Sequence, residues 1–305
     1  ALHTAEGSSN IVSVLLGYGA DSKVVDASGV TVFHRGKLSP EAATLLIEAG
    51  GDLKAEDHHG RTATWYASGE YLDFLLKSGL DINHADSDVD TRLHKSVYQS
   101  DCEELLRKGA LADATDRHGR TPIMLCARSG NTEIAEVLLA FGADPNAVCL
   151  EGKNSLHHFC ASIDDDEEED GDGDSNDSEE SYDRNTDDQL EDDDADDNDD
   201  DDSLVCKDDR DDQYDLGEAL DMAEILIQHD VDVNAIDEHG ITPLHCVCLL
   251  PQDPRLKPLM SRLISAGADP NIPNRNGQTA VQIIQKSVKD EGRRSAFLKV
   301  LLSAG

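Results

Sequence analysis

The stretch that decides the fold is Thr121–Gly152, TPIMLCARSGNTEIAEVLLAFGADPNAVCLEG. Thr121 stands where a helix N-cap belongs, a position worth roughly 1 kcal/mol. Pro122 follows at the first helical position, where a missing N–H costs nothing. Ile123, Cys126 and Ala127 give a short helix with one apolar face, and Ser129-Gly130-Asn131 reads as a turn. Ile134, Val137 and Leu138, extended by Leu139, recur at helical spacing and predict a second amphipathic helix. Gly142 ends it in a left-handed cap. Asp144-Pro145-Asn146 through Gly152 then forms a turn-rich finger. Helices this short are marginal alone in water, so stacked neighbours must bury their faces.

The unit recurs. Gly19-Ala20-Asp21, Gly50-Gly51-Asp52, Gly79-Leu80-Asp81, Gly109-Ala110-Leu111, Gly142-Ala143-Asp144, Asp230-Val231-Asp232 and Gly267-Ala268-Asp269 start at spacings of 31, 29, 30, 33, 88 and 37. Self-similarity at this period is the signature of a repeat array. The spacing of 88 equals one unit of 33 plus an insertion of 55 residues.

Charge locates that insertion. The chain has 305 residues, 26 Lys+Arg and 64 Asp+Glu, for a net charge of −38. Residues 164–215 alone hold 30 acids and 3 bases, a net of −27, leaving −11 for everything else. With so few apolar residues the segment cannot offset the entropy of ordering, and disorder is expected. Clustered Lys/Arg for nucleic acid is absent, an anionic membrane surface would repel the chain, and no apolar run is long enough to span a bilayer. Seven cysteines without a framework spacing, and no signal-peptide pattern, predict reduced thiols and a cytoplasmic or nuclear location.

The repeated unit resembles the ankyrin repeat. The resemblance rests on Thr121-Pro122, Thr242-Pro243-Leu244-His245, Leu93-His94, Leu156-His157 and Leu2-His3. It rests also on the pairs Leu15-Leu16, Leu45-Leu46, Leu75-Leu76, Leu105-Leu106 and Leu138-Leu139, and on the finger turns Asp57-His58-His59-Gly60, Asp116-Arg117-His118-Gly119 and Asp237-Glu238-His239-Gly240. It covers the chain outside the insertion, about eight units, and implies an all-α solenoid of helix-turn-helix units with β-hairpin-like fingers. The units starting at Thr62 and Thr91 are three to four residues short, which predicts irregular helices there; those at Thr242 and Thr279 are four to five long. The chain opens at Ala1-Leu2-His3, inside a first helix, and closes at Gly305, where a second helix ends. A solenoid needs polar caps, so a longer array is expected.

Shifting Ile134–Leu139 by 88 aligns it with Met222–Ile227, while Ser155–Ala161 matches a first helix. The insertion therefore lies in the turn between two helices of one unit, where loop entropy grows slowly with length. The expected organisation is repeats over 1–161, a disordered acidic insert over 162–216, and repeats over 217–305. A loop of this length spans roughly 40 Å, and self-repulsion extends it.

The resemblance implies that fingers and first helices form a concave partner surface. Its candidate contacts are His58, His59, Arg61, Trp65, Tyr66, Arg117, His118, Arg120, Lys153, His239 and Arg275. These tips carry a charge opposite to the insert, so an acidic ligand is one expectation and solvated finger residues the other. Trp65 is a packing residue or an exposed anchor. The motif histidines His3, His34, His94, His157 and His245 are expected to bond back to the neighbouring Thr and loop backbone. His157, His158 and Cys160 face His245, Cys246 and Cys248, a soft set that suits zinc, yet small buried residues normally fill such positions. Asp170, Asp172, Asp174 and Asn176 resemble the opening of a calcium loop. Ser175 and Ser181 stand where its Gly and Glu belong, which excludes a formed site. Ser162, Ser178, Ser181 and Thr186 lie among acids, as acidophilic kinase sites do.

No catalytic motif is present, so no catalytic residue, metal or cofactor is assigned. The expected function is a non-enzymatic scaffold that binds a protein partner, with the insert as an accessory or autoregulatory polyanion. The rivals are the substrate-recognition part of a larger enzyme or ubiquitin-ligase-type assembly, and a shield for basic client proteins bound through the insert.

Overall fold

The computed structural model describes residues 8–162, 216–250 and 256–302. In its N-terminal half the helices α1 (Ser9–Gly17), α2 (Pro40–Glu48), α3 (Gly69–Lys77) and α4 (Gln99–Arg107) alternate with short 3₁₀ turns at Val32–Arg35, Ala63–Trp65 and Arg92–Lys95. From Thr121 onward helices come in pairs: α5 (Pro122–Ser129) with α6 (Thr132–Ala140), α7 (Ser155–Ser162) with α8 (Leu216–Gln228), α9 (Pro243–Leu249) with α10 (Leu256–Ser265), and α11 (Ala280–Ser287) with α12 (Glu291–Leu302). The described residues contain no named strand, only single antiparallel bridges, Val25–Thr31 and Ala85–Thr91, at the bases of fingers. The all-α repeat solenoid is thus observed.

The quoted unit folds as read. Ile123, Cys126, Ala127, Ile134, Val137, Leu138 and Leu139 are all buried. They belong to one apolar core that continues through the stack from Val12 to Leu301. Gly142 takes φ +88°, and the equivalent triplets begin with Gly19, Gly50, Gly79, Gly109 and Gly267, all left-handed. Asp230 occupies the same place at φ +59° without being glycine. One detail is corrected: Thr121 has N-cap backbone angles, but its Oγ1 is buried without a hydrogen-bond partner.

The short units lose their first α-helix. The helix-ending Gly lies 17 and 18 positions after the motif Thr in the Thr62 and Thr91 units, against 21 from Thr121 to Gly142, and both carry a 3₁₀ turn instead. The Thr31 unit, at 19, is contracted in the same way, which the sequence reading had not singled out. A 3₁₀ turn rises about 2.0 Å per residue against 1.5 Å in an α-helix, so fewer residues cover the gap. The carbonyls that a full helix would occupy are taken by side chains from the next unit. Buried Tyr71 donates its hydroxyl to Phe33 O at 2.9 Å. Arg92 donates to Thr64 O at 2.7 Å and Ala67 O at 2.5 Å, and pairs with Asp101.

The array closes across the insertion. Helices α7 and α8 pack together although residues 163–215 separate them. Asn146 donates to Asp230 O at 3.0 Å and accepts from Asp232 N at 2.6 Å. Asn154 Nδ2 reaches Asp232 O at 3.1 Å, and His157 Nε2 reaches Ile241 O at 2.9 Å. The expected disorder of the insert, the calcium-like run at Asp170, the sites Ser178, Ser181 and Thr186, and Leu2-His3 lie outside the described residues. Ser162 is described and is corrected as a kinase site: it is buried, and its hydroxyl donates to Phe159 O at 2.8 Å.

Candidate protein-interaction surface

Each finger is a five-residue turn, opened by an Asx residue everywhere except at Cys149–Lys153. Asp57 Oδ1 accepts the backbone N–H of His59 at 2.8 Å and of Arg61 at 3.0 Å. Asp26, Asp86, Asp116, Asp237 and Asn274 repeat this pattern in their own fingers. Such side-chain-to-backbone bonds are why Asp and Asn favour turns. Fingers then join by backbone bonds: His58 N to Ser28 O (2.9 Å), Ser87 N to His59 O (2.7 Å), Leu150 N to His118 O (3.0 Å), Glu238 N to Glu151 O (2.9 Å) and Arg275 N to His239 O (2.9 Å).

The motif histidines His34, His94, His157 and His245 each fasten a finger to the preceding unit. In the Thr31, Thr91 and Thr242 units the His ring Nδ1 lies 3.1 Å from the Thr backbone N and 2.8–2.9 Å from Thr Oγ1. Nε2 of His34, His94 and His245 then reaches the carbonyls of Arg61 (3.0 Å), Arg120 (3.2 Å) and Gln278 (3.3 Å). Nδ1 accepts from the backbone and Nε2–H donates, so the ring is neutral. Burial lowers the pKa of His34, His94, His157 and His245 below 6.5. In the Thr121 unit Met124 replaces the histidine, which is why Thr121 Oγ1 has no partner.

The candidate contacts divide into two groups. His58, His59, Arg117, His118, His239 and Arg275 are exposed along the finger row. Arg61, Trp65, Tyr66, Arg120 and Lys153 are partly buried and engaged within the chain. The Arg61 guanidinium lies 5.0 Å from the Trp65 ring centre, a cation–π arrangement. Trp65 Nε1 donates to His84 O at 3.1 Å, so the packing role describes it. Tyr66 donates to Asp57 at 2.5 Å; burial first, and this bond second, push its hydroxyl up to about 12. Arg120 pairs with Asp116, and Lys153 with Glu151, both at 2.7 Å. Much of the basic finger character is therefore neutralised internally. Exposed Arg117 also pairs, with Asp88 at 2.9 Å.

Two exposed residues had no part in the sequence reading. Leu150 stands 77% exposed at a finger tip where the aligned residues are mostly polar, and Tyr98 is 72% exposed before α4. The signal for Leu150 was an apolar residue in the tip register.

Cys160 lies near Cys246 and Cys248 between α7 and α9, and burial raises all three thiols, the latter two to about 12. They pack as neutral core residues. Among the described residues no set of three His, Cys, Asp or Glu is disposed to hold a metal ion, and no helix is long and apolar enough to cross a membrane.

Comparison with known proteins matches the family described as "Ankyrin repeats (3 copies)" over residues 70–149 and 93–166, and "Ankyrin repeat" over 239–275. The B-cell lymphoma 3 protein homolog of Mus musculus is 33% identical over 131 residues, 39% of this chain and 29% of that protein. Palmitoyltransferase AKR1 of Lachancea kluyveri is 29% identical over 147 residues, 47% of this chain and 17% of that protein. E3 ubiquitin-protein ligase KEG of Arabidopsis thaliana is 27% identical over 150 residues, 44% of this chain and 9% of that protein. The chain thus spans less than a third of the length of these relatives. Such repeats are protein-interaction units, and with the finger ladder, the histidine fasteners and these matches together, the chain carries ankyrin repeats, matched over residues 70–166 and 239–275.

Proposed function

We propose that the chain is a non-enzymatic scaffold that holds a protein partner on its concave finger surface, in the cytoplasm or nucleus. The observation that carries this reading is the finger ladder itself. Backbone bonds fix the fingers, while the tip side chains of His58, His59, Arg117, His118, Leu150, His239 and Arg275 stay exposed. Rigid backbone under exposed side chains lowers the entropy lost on binding. Arg61, Trp65, Tyr66, Arg120 and Lys153 shape the surface from beneath it. The insert between α7 and α8 serves as an accessory polyanion that draws basic segments of a partner or competes with an acidic ligand. Replacing residues 163–215 by a short Gly/Ser linker tests this part. Partner affinity or its salt dependence changes if the insert takes part; if neither changes, it has no such role.

A second reading has one supporting observation. The relatives include a palmitoyltransferase and a ubiquitin ligase that this chain matches over only a fraction of their lengths. Under it the array is the recognition segment of a larger enzyme assembly, and a catalytic module elsewhere in the full reading frame would favour it.

A further inference from the structure

One finger breaks the rule that the others keep. In the turn Asp86-Ser87-Asp88-Val89-Asp90, Val89 stands where the other fingers have Gly29, Gly60, Gly119, Gly152, Gly240 and Gly277. Its φ is +67°, beside +71° to +78° for those glycines. A β-branched residue in the left-handed region is a backbone outlier and carries strain.

The neighbouring fingers show what a side chain does in this position. A Cβ placed on Gly29, Gly60, Gly119 or Gly240 would stand 3.0 Å from the backbone N of His58, Ser87, Leu150 or Arg275, and one on Gly152 would stand 3.2 Å from Glu238 N. Those five nitrogens are the donors of the five finger-to-finger bonds. Glycine thus lets each finger close on the next. Val89 has a Cβ, and the corresponding bond, Arg117 N to Asp88 O, is the one missing from the ladder among the described fingers. In its place stands an Arg117–Asp88 ion pair with side chains 59% and 60% exposed, a contact of small and salt-sensitive strength.

We infer that Val89 is a built-in wedge that holds the finger of Asp86–Asp90 apart from the finger of Asp116–Arg120 and makes this joint the hinge of the finger row. The row becomes two blocks, fingers up to Val89 and fingers from Asp116 on, each held by backbone bonds. A partner spanning both blocks can set the angle between them. That use rests on the scaffold reading; the wedge itself does not.

Amide hydrogen exchange on the full chain tests the wedge, with Val89→Gly and Val89→Asn as variants. Asparagine tolerates the left-handed conformation but keeps a Cβ, so it relieves strain without removing the wedge. In the wild type the Arg117 amide exchanges at least tenfold faster than those of His58, Ser87, Leu150, Glu238 and Arg275. V89G slows it at least tenfold and V89N does not. An Arg117 amide already as protected as the other five, or one that V89G leaves unchanged, overturns the proposal. Equal protection in V89N and V89G overturns it too, since strain rather than the side chain would then govern the joint. Distance distributions between encoded spin labels at Ser28 and Asn276 report the hinge: V89G narrows them, and an unchanged width contradicts the hinge whether or not a partner binds.

Discussion

Arg92 donates to the carbonyl of Thr64 across a unit boundary, at 2.7 Å, and so completes a turn that belongs to its neighbour. The same side chain reaches Ala67 O and Asp101, and is only 13% exposed. Substitution leaves two carbonyls without this donor and Asp101 with the Ser96 hydroxyl but no cation. Arg92→Ala should cost about 2–3 kcal/mol, read as a lower urea midpoint at unchanged slope. A loss below about 0.5 kcal/mol would show that the contracted units need no such support.

Met124 leaves Thr121 Oγ1 buried and unpaired. Met124→His restores the fastener seen at His34, His94 and His245 and should add about 1 kcal/mol, the net worth of a new buried hydrogen bond. Thermal unfolding of the variant checks the sign. A loss would mean that the packing of the fully buried Met124 outweighs the bond.

Asp230 adopts φ +59° at the end of α8, where the parallel positions are glycine. Asp230→Gly keeps the backbone carbonyl that accepts from Asn146. It should stabilise the array by roughly 0.5–1 kcal/mol, or a few degrees in Tm. A fall in Tm would indicate a role for the carboxylate.

Stability should fall on acidification before the carboxylates titrate. Burial lowers the pKa of His34, His94, His157 and His245 from 6.5, and that of His158 to about 4. The unfolded chain then takes up protons first. The contribution is full above pH 6.5 and is lost as pH falls toward the folded values. For His158 alone the loss between pH 7.5 and 5 is on the order of 1–2 kcal/mol. His158→Leu should flatten the urea midpoint against pH over that range; an unchanged slope would contradict it.

Bonds join the array across the insertion, Asn146 to Asp230 and Asp232 and His157 to Ile241, so the array should stand without residues 163–215. Replacing them by about six residues should preserve the fold and add up to ~2 kcal/mol through the shorter closure. Loss of cooperative unfolding would refute this.

The architecture was legible because period, glycine and apolar spacing act locally and repeat: the left-handed Asp230 stands in its triplet register in the sequence itself. The contracted first helices were legible as missing residues at Thr62 and Thr91. Their repair by Tyr71 and Arg92 was not, because it links residues 38, 28 and 25 positions apart. The site was legible as a row of tips but not as pairs. Arg120, Lys153 and Arg117 read as basic contacts; Asp116 and Glu151 meet the first two within their own finger turns, and only the fold brings Asp88 to Arg117. Val89 was visible as a non-glycine in a turn, yet its effect depends on how close the next finger comes.

The scaffold reading is tested most directly by photo-crosslinking from defined positions in the full chain. Crosslinkers at His118 and His239 on the fingers, and at Glu136 and Lys77 on exposed second-helix positions, report which face meets a partner. The account predicts that His118 and His239 capture the same protein and that Glu136 and Lys77 capture none. Capture from Glu136 and Lys77 with silent fingers would contradict it.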